Sequence, residues 1–95
     1  MTSYEFEVAA KNAVVYVLRS DEYNLDVTVA DLNLVWFAHI LGFKKCTIWG
    51  KPMGNKYAEV TYNRDKNEFY VDIYVKDMNI KYDGDEINTK IKRLV

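Results

Sequence analysis

Apolar positions recur every three or four residues in the first part of the chain and every second residue further on, and this change of period predicts the order of elements. Thr2 and Glu5 have the T-x-x-E spacing of a capping box, in which two side chains satisfy the free N–H groups of a helix start. Phe6, Ala9, Ala10, Ala13, Val14 and Val17 then form one stripe, with Glu7 and Lys11 paired i,i+4 elsewhere on the helix. The stripe ends at Ser20-Asp21-Glu22, which reads as a loop. After an extended piece through Leu25 and Val27, the residues Leu32, Val35, Trp36, His39, Ile40 and Phe43 again keep helical spacing and predict a second helix. Thr28 or Asp31 would cap it, and Gly42 would end it in a left-handed conformation. Trp36-Phe37 puts bulk on two adjacent faces, so this helix is expected to be covered by both the sheet and the first helix.

From Lys44 the period becomes two. Cys46 and Ile48 alternate with Thr47 and Trp49, predicting a first strand. The segment Gly50 to Asn55 holds the sole proline and two glycines, and reads as a loop. A second strand is expected from Lys56 to Tyr62 and a third from Glu68 to Lys76, joined by the turn-forming Asn63-Arg64-Asp65-Lys66-Asn67. Met78, Ile80 and Tyr82 alternate as a fourth strand would, and Asp83-Gly84-Asp85 breaks the chain before a short, helix-compatible tail. The predicted fold is a single α+β domain over residues 1–95. Two N-terminal helices pack on one face of a three- to four-stranded antiparallel meander, in the order ααβββ(β).

That layout leaves the other sheet face to explain. A four-residue loop at Arg64 to Asn67 pairs Tyr62 with Phe69, Val60 with Val71 and Ala58 with Ile73 on the inner face. On the outer face it pairs Thr61 with Tyr70, Glu59 with Asp72, and Tyr57 with Tyr74. Opposed carboxylates destabilise a sheet unless Lys56, Lys76 or a lysine of a neighbouring strand neutralises them. A tyrosine-flanked acidic platform of Tyr57, Glu59, Tyr70, Asp72 and Tyr74 is therefore the candidate partner-binding site, with Trp49 beside it. An arginine or lysine of a partner would gain charge pairing and ring contact there together. Trp49, Met53 and Tyr57 around the glycine loop would form an exposed apolar rim.

Composition sharpens this reading. Eight tyrosines stand among 95 residues, and tyrosine suits a recognition surface because its ring is apolar and its tip polar. The net charge of −1 gives no nucleic-acid footprint, although Lys90, Lys92 and Arg93 make the tail basic. His39 is the single histidine and sits on the predicted helix stripe, so no catalytic triad can be ordered around it. Cys46 is the single cysteine, which rules out an internal disulfide and reads as a small buried hydrophobe. Gly50 and Gly54 flank a lysine but lack the Gly-Lys-Ser/Thr that completes a phosphate loop. Two carboxylates without further ligands are no metal site. No cofactor, metal or enzymatic activity is expected. The chain shows neither a secretory signal nor an apolar stretch of membrane-spanning length, and a cytoplasmic location is the expectation.

Val35-Trp36-Phe37, followed by the run from Glu59 through Asn67 to Tyr74, resembles a family of small proteins encoded by phages and prophages of Gram-positive bacteria. The resemblance implies no catalytic residues. It implies a context in which small proteins act by binding, among them inhibitors of host defences such as CRISPR nucleases and sponges for signalling nucleotides. The leading expectation is an anti-defence protein that binds and inhibits a host factor through the tyrosine and carboxylate face. The alternatives are a nucleotide or nucleic-acid binder using Lys51, Lys56, Arg64 and Lys66 for phosphate, which fits the acidic face poorly, and a homodimer closed by its open sheet face or a sheet edge.

Overall fold

The first helix forms where its capping box predicts. The computed structural model describes residues 1–94 and places α1 over Ser3–Leu18. The Thr2 hydroxyl accepts from the Glu5 backbone N–H at 3.1 Å, while the Glu5 carboxylate accepts from the Thr2 N–H at 2.8 Å. Phe6, Ala10, Val14 and Leu18 are fully buried, so the packed edge is an i,i+4 ridge along one side of the helix. Each large member contributes about 1.5–3 kcal/mol of burial.

The ridge lies against a four-stranded antiparallel sheet in the order β1-β2-β3-β4, with β1 Asn33–Ile40, β2 Phe43–Trp49, β3 Lys56–Asn63 and β4 Glu68–Val75. Its inner face supplies Cys46, Ile48, Ala58, Val60 and Tyr62 to the core, with Phe37, Phe69, Val71 and Ile73 half-covered at the flanks. The Phe6 ring sits 5.7 Å from Phe37 and 6.2 Å from Phe69, and so reaches both edge strands. Val27, Leu32 and Met53 close the remaining gaps from loops.

The expected second helix is absent: Leu32 to Phe43 becomes β1, a turn and the start of β2. Apolar residues crowd both faces of β1, so the alternation of an ordinary strand is missing and helical spacing arises by coincidence. The enrichment in Val, Trp and Phe is the strand signal that decides it. Gly42 does take a positive φ of 86°, but it does so beside Leu41 at 53°, as the second residue of a two-residue hairpin turn with both φ positive. His39 consequently lies on an exposed edge strand opposite Lys44, not on a buried helix stripe. The register shifts between Leu34 and Trp36, where Val35 forms a bulge.

The C-terminal region departs from expectation in a second way. Residues 76–83, expected to add a strand after the one ending near Lys76, form an exposed segment without regular structure, leading to α2 at Gly84–Leu94. The second helix is thus C-terminal, and no residue of it is buried. The radius of gyration is 16.7 Å, against the about 12 Å of a compact chain of this length. The expected Asn63–Asn67 turn is present, with Asn63 Oδ1 accepting from the N–H groups of Asp65 and Lys66.

Two substitutions test the local geometry. Leu41→Asn relieves a left-handed conformation at an exposed leucine, so urea unfolding should show a gain of about 1 kcal/mol. Gly50 is buried, and a Cβ there would stand 2.0 Å from the Asp31 carbonyl oxygen. Gly50→Ala should therefore lower stability by about 1–3 kcal/mol in the same assay.

Candidate functional site

With α1 on the inner face, the outer face carries no helix. Strand pairing lines up Trp36, Thr47, Glu59 and Asp72 in one row, and Ala38, Lys45, Thr61 and Tyr70 in the next. Ile40 and Phe43 pair beyond them at the hairpin end, while Tyr57 pairs with Tyr74 at the other. The β3–β4 pairs are those the loop length predicts, all six of them. Tyr57 and Tyr74 stack at 5.2 Å between centroids, with 19° between planes. Trp49 donates its indole N–H to the Gly54 carbonyl at 3.0 Å, which fixes its ring at the rim. Met53 is buried in the core and does not join that rim.

The opposed Glu59 and Asp72 are real, and a lysine of the neighbouring strand answers them. Lys45 Nζ lies 3.0 Å from Glu59 Oε1, whereas Asp72 has no ion pair among the described residues. The bond to Glu59, and then its charge, raise the pKa of the Lys45 ammonium. The charges of Glu59 first and Asp72 second push the Tyr74 phenol above its ordinary value of 10.0. Tyr70 donates to Glu68 Oε2, which raises its pKa likewise. The face thus carries an uncompensated negative charge ringed by aromatic groups.

Apolar exposure is strongest on the edge strands, where Trp36 is 52% exposed, Ile40 68%, Tyr70 46% and Tyr74 41%, with Lys45, Thr47, Glu59 and Thr61 between them. Two shallow hollows interrupt the surface. One of about 280 Å³ lies among Trp36, Ala38, Ile40, Phe43, Lys45 and Thr61, and one of about 360 Å³ lies among Val35, Trp49, Tyr57 and Lys76. A larger depression of about 540 Å³ at the C-terminal end of α1 is open and lined by Asn12, Tyr16, Arg19 and Asp21, with the Arg19 Nε–H already donating to the Val27 carbonyl. The six residues expected from the sequence, Trp49, Tyr57, Glu59, Tyr70, Asp72 and Tyr74, all share the outer face. Trp36, Ile40, Phe43 and Lys45 belong to it too. They escape a helical reading of residues 32–43, although the aromatic and β-branched run there is their signal.

The phosphate-binding alternative finds no single surface. Lys51 and Lys56 flank the start of β3 while Arg64 and Lys66 follow its end, a separation of roughly 23 Å along the strand. Cys46 is buried, and desolvation pushes its thiol up to about 11. Among the described residues, no three His, Cys, Asp or Glu side chains cluster as metal ligands, and no helix is long and apolar enough to cross a membrane.

These features define a small α+β protein built as a one-helix-backed antiparallel meander with an open aromatic face. Residues 7–84 match DUF6275, a family of unknown function, and the chain belongs to that family. No curated protein and no solved structure matches it.

Tyrosine titration followed by ultraviolet absorbance tests the electrostatics. Tyr74 should ionise above the ordinary tyrosine range, and Glu59→Gln should bring it down because that carboxylate is the largest cause. The native phenol keeps its proton where the unfolded chain has lost it, so this contribution is present below pH 10 and declines as pH rises through the native value.

Proposed function

We propose that the chain is a non-enzymatic binding protein that engages a protein partner through the outer face of its sheet. The observation that supports this is the exposure of Trp36, Ile40, Phe43, Trp49, Tyr57, Tyr70 and Tyr74 on one sheet face, around a polar centre of Lys45, Thr47, Glu59 and Thr61, with no helix of the described residues packed over it. Tryptophan and tyrosine are the residues that dominate binding energy at interfaces, and aromatic groups around a polar centre give both anchors and orientation. The carboxylate of Asp72 beside Tyr70 and Tyr74 selects a partner offering arginine or lysine, which pairs with the acid and lies on a ring. A nucleic-acid strand would meet repulsion at the same place.

Within this reading the resemblance to small phage-encoded proteins supports inhibition of a host defence nuclease as the function. The purified chain should bind such a nuclease and block target cleavage at stoichiometric concentrations. Trp36→Ser and Tyr74→Ala should each weaken inhibition at least tenfold while circular dichroism stays unchanged. Unimpaired inhibition by both variants would remove the outer face from the function, and absence of binding to any defence nuclease would remove the target class.

A further inference from the structure

The chain carries a second uncovered apolar surface, and it complements the first. In α2, Ile87, Ile91 and Leu94 recur at i, i+4 and i+7 and are 37%, 49% and 86% exposed. Met78, Ile80 and Tyr82 lead into it, all at least 46% exposed. This arm is organised although it stands away from the body. The Asp83 side chain accepts from the Glu86 N–H at 2.8 Å and the Asp83 carbonyl accepts from the Ile87 N–H, so the helix start is capped. Lys90 Nζ lies 5.7 Å from the centre of the Tyr82 ring, which ties the helix to its own linker. At the arm's root the Lys76 N–H donates to the Asn55 carbonyl at 2.7 Å, which carries the β3–β4 ladder one pair beyond Val75 and holds the arm's start at that end of the sheet.

We infer that the arm of residues 76–94 seats its apolar stripe on the outer sheet face of a second copy of this chain, in a reciprocal dimer that a partner must open to reach the face. The inference rests on the outer face being the binding surface. Charge favours the pairing: on the outer face Glu59, Glu68 and Asp72 against Lys45 and Lys76 leave −1, while Lys90, Lys92 and Arg93 put +3 on the C-terminal half of α2, away from Asp85 and Glu86 in its first turn. Lys90 borders the apolar stripe and offers the kind of cation that Asp72 lacks among the described residues of its own chain. The area is sufficient as well. At about 200 Å² for a large side chain, the exposed parts of the face and the arm offer on the order of 1,000 Å² per copy, above the roughly 800 Å² per partner of a standard interface. Because the exchange is reciprocal about a two-fold axis, each arm fills the face of the copy that fills its own, and the assembly closes at two.

Both tryptophans, Trp36 and Trp49, lie on the outer face, so intrinsic fluorescence reports its covering directly. Sedimentation velocity of the full chain should give twice the monomer mass of 11.2 kDa. The full-length variant Ile87→Glu/Ile91→Glu should sediment as a monomer with red-shifted emission, its fold intact because α2 buries nothing in its own body. A wild-type monomer overturns the proposal, including one whose emission shifts in the variant, which would show the arm lying on its own sheet. A dimer that survives the double substitution overturns it too. Nuclease inhibition separates the two readings. If the arm variant changes nothing in sedimentation while Tyr74→Ala still abolishes inhibition, the arm fails and the binding face stands. If the arm variant releases a monomer but outer-face substitutions leave inhibition intact, the binding face fails.

Discussion

Packing of the Phe6, Ala10, Val14 and Leu18 ridge against the sheet is the contact on which the remaining structure depends. A helix with its side chains is about 10–12 Å across, while the axes of four strands span about 14 Å. One helix therefore seals the two central strands and leaves the flanks thinly covered. The burial pattern follows that limit: Ile48, Ala58 and Val60 are closed to solvent, while Phe37 on β1 and Phe69, Val71 and Ile73 on β4 remain half-open. Phe6 reaches towards both flanks, and that is why an aromatic ring occupies the first turn of the ridge. A single helix of this kind has nothing to offer the opposite side of the sheet.

The opposite side is accordingly where composition and architecture meet. Eight tyrosines in 95 residues is more aromatic surface than so small a core can absorb, and three of the exposed ones, Tyr57, Tyr70 and Tyr74, share the outer sheet face while Tyr4 and Tyr16 stand on α1. The charges there are also arranged unevenly. Lys45 reaches diagonally to Glu59 and leaves Asp72 to the solvent, so the acidic row is half answered within the chain. A surface that is apolar, aromatic and one charge short of balance is poorly suited to water and well suited to a basic partner.

Legibility in the sequence divides along physical lines. The capping box, the first helix, β2 to β4 and the whole β3–β4 register could be read, because each rests on a short-range rule: a cap spacing, a period of two, or a loop length. All six residues named for the candidate site fall on one face for the same reason. The segment from Leu32 to Phe43 could not be read by periodicity, since a strand with Trp36 and Ile40 outside and Leu34 and Phe37 inside presents apolar groups in both directions. Leu41 hid the hairpin further, because asparagine or glycine usually marks that position. The tail misled differently: Met78, Ile80 and Tyr82 alternate as a strand would, yet alternation makes a strand only when a neighbour offers its hydrogen bonds.

The bulge at Val35 has a consequence of its own. Strand β1 is an edge, and from Asn33 to Ile40 it holds no acidic residue, no lysine or arginine and no proline. A flat edge of that composition is a template on which further strands can add, the route by which soluble sheets grow into fibres. The extra residue between Leu34 and Trp36 bends the strand and breaks the even spacing of its free N–H and C=O groups. In a protein that keeps so much aromatic surface in water, one misregistered valine guards against runaway assembly.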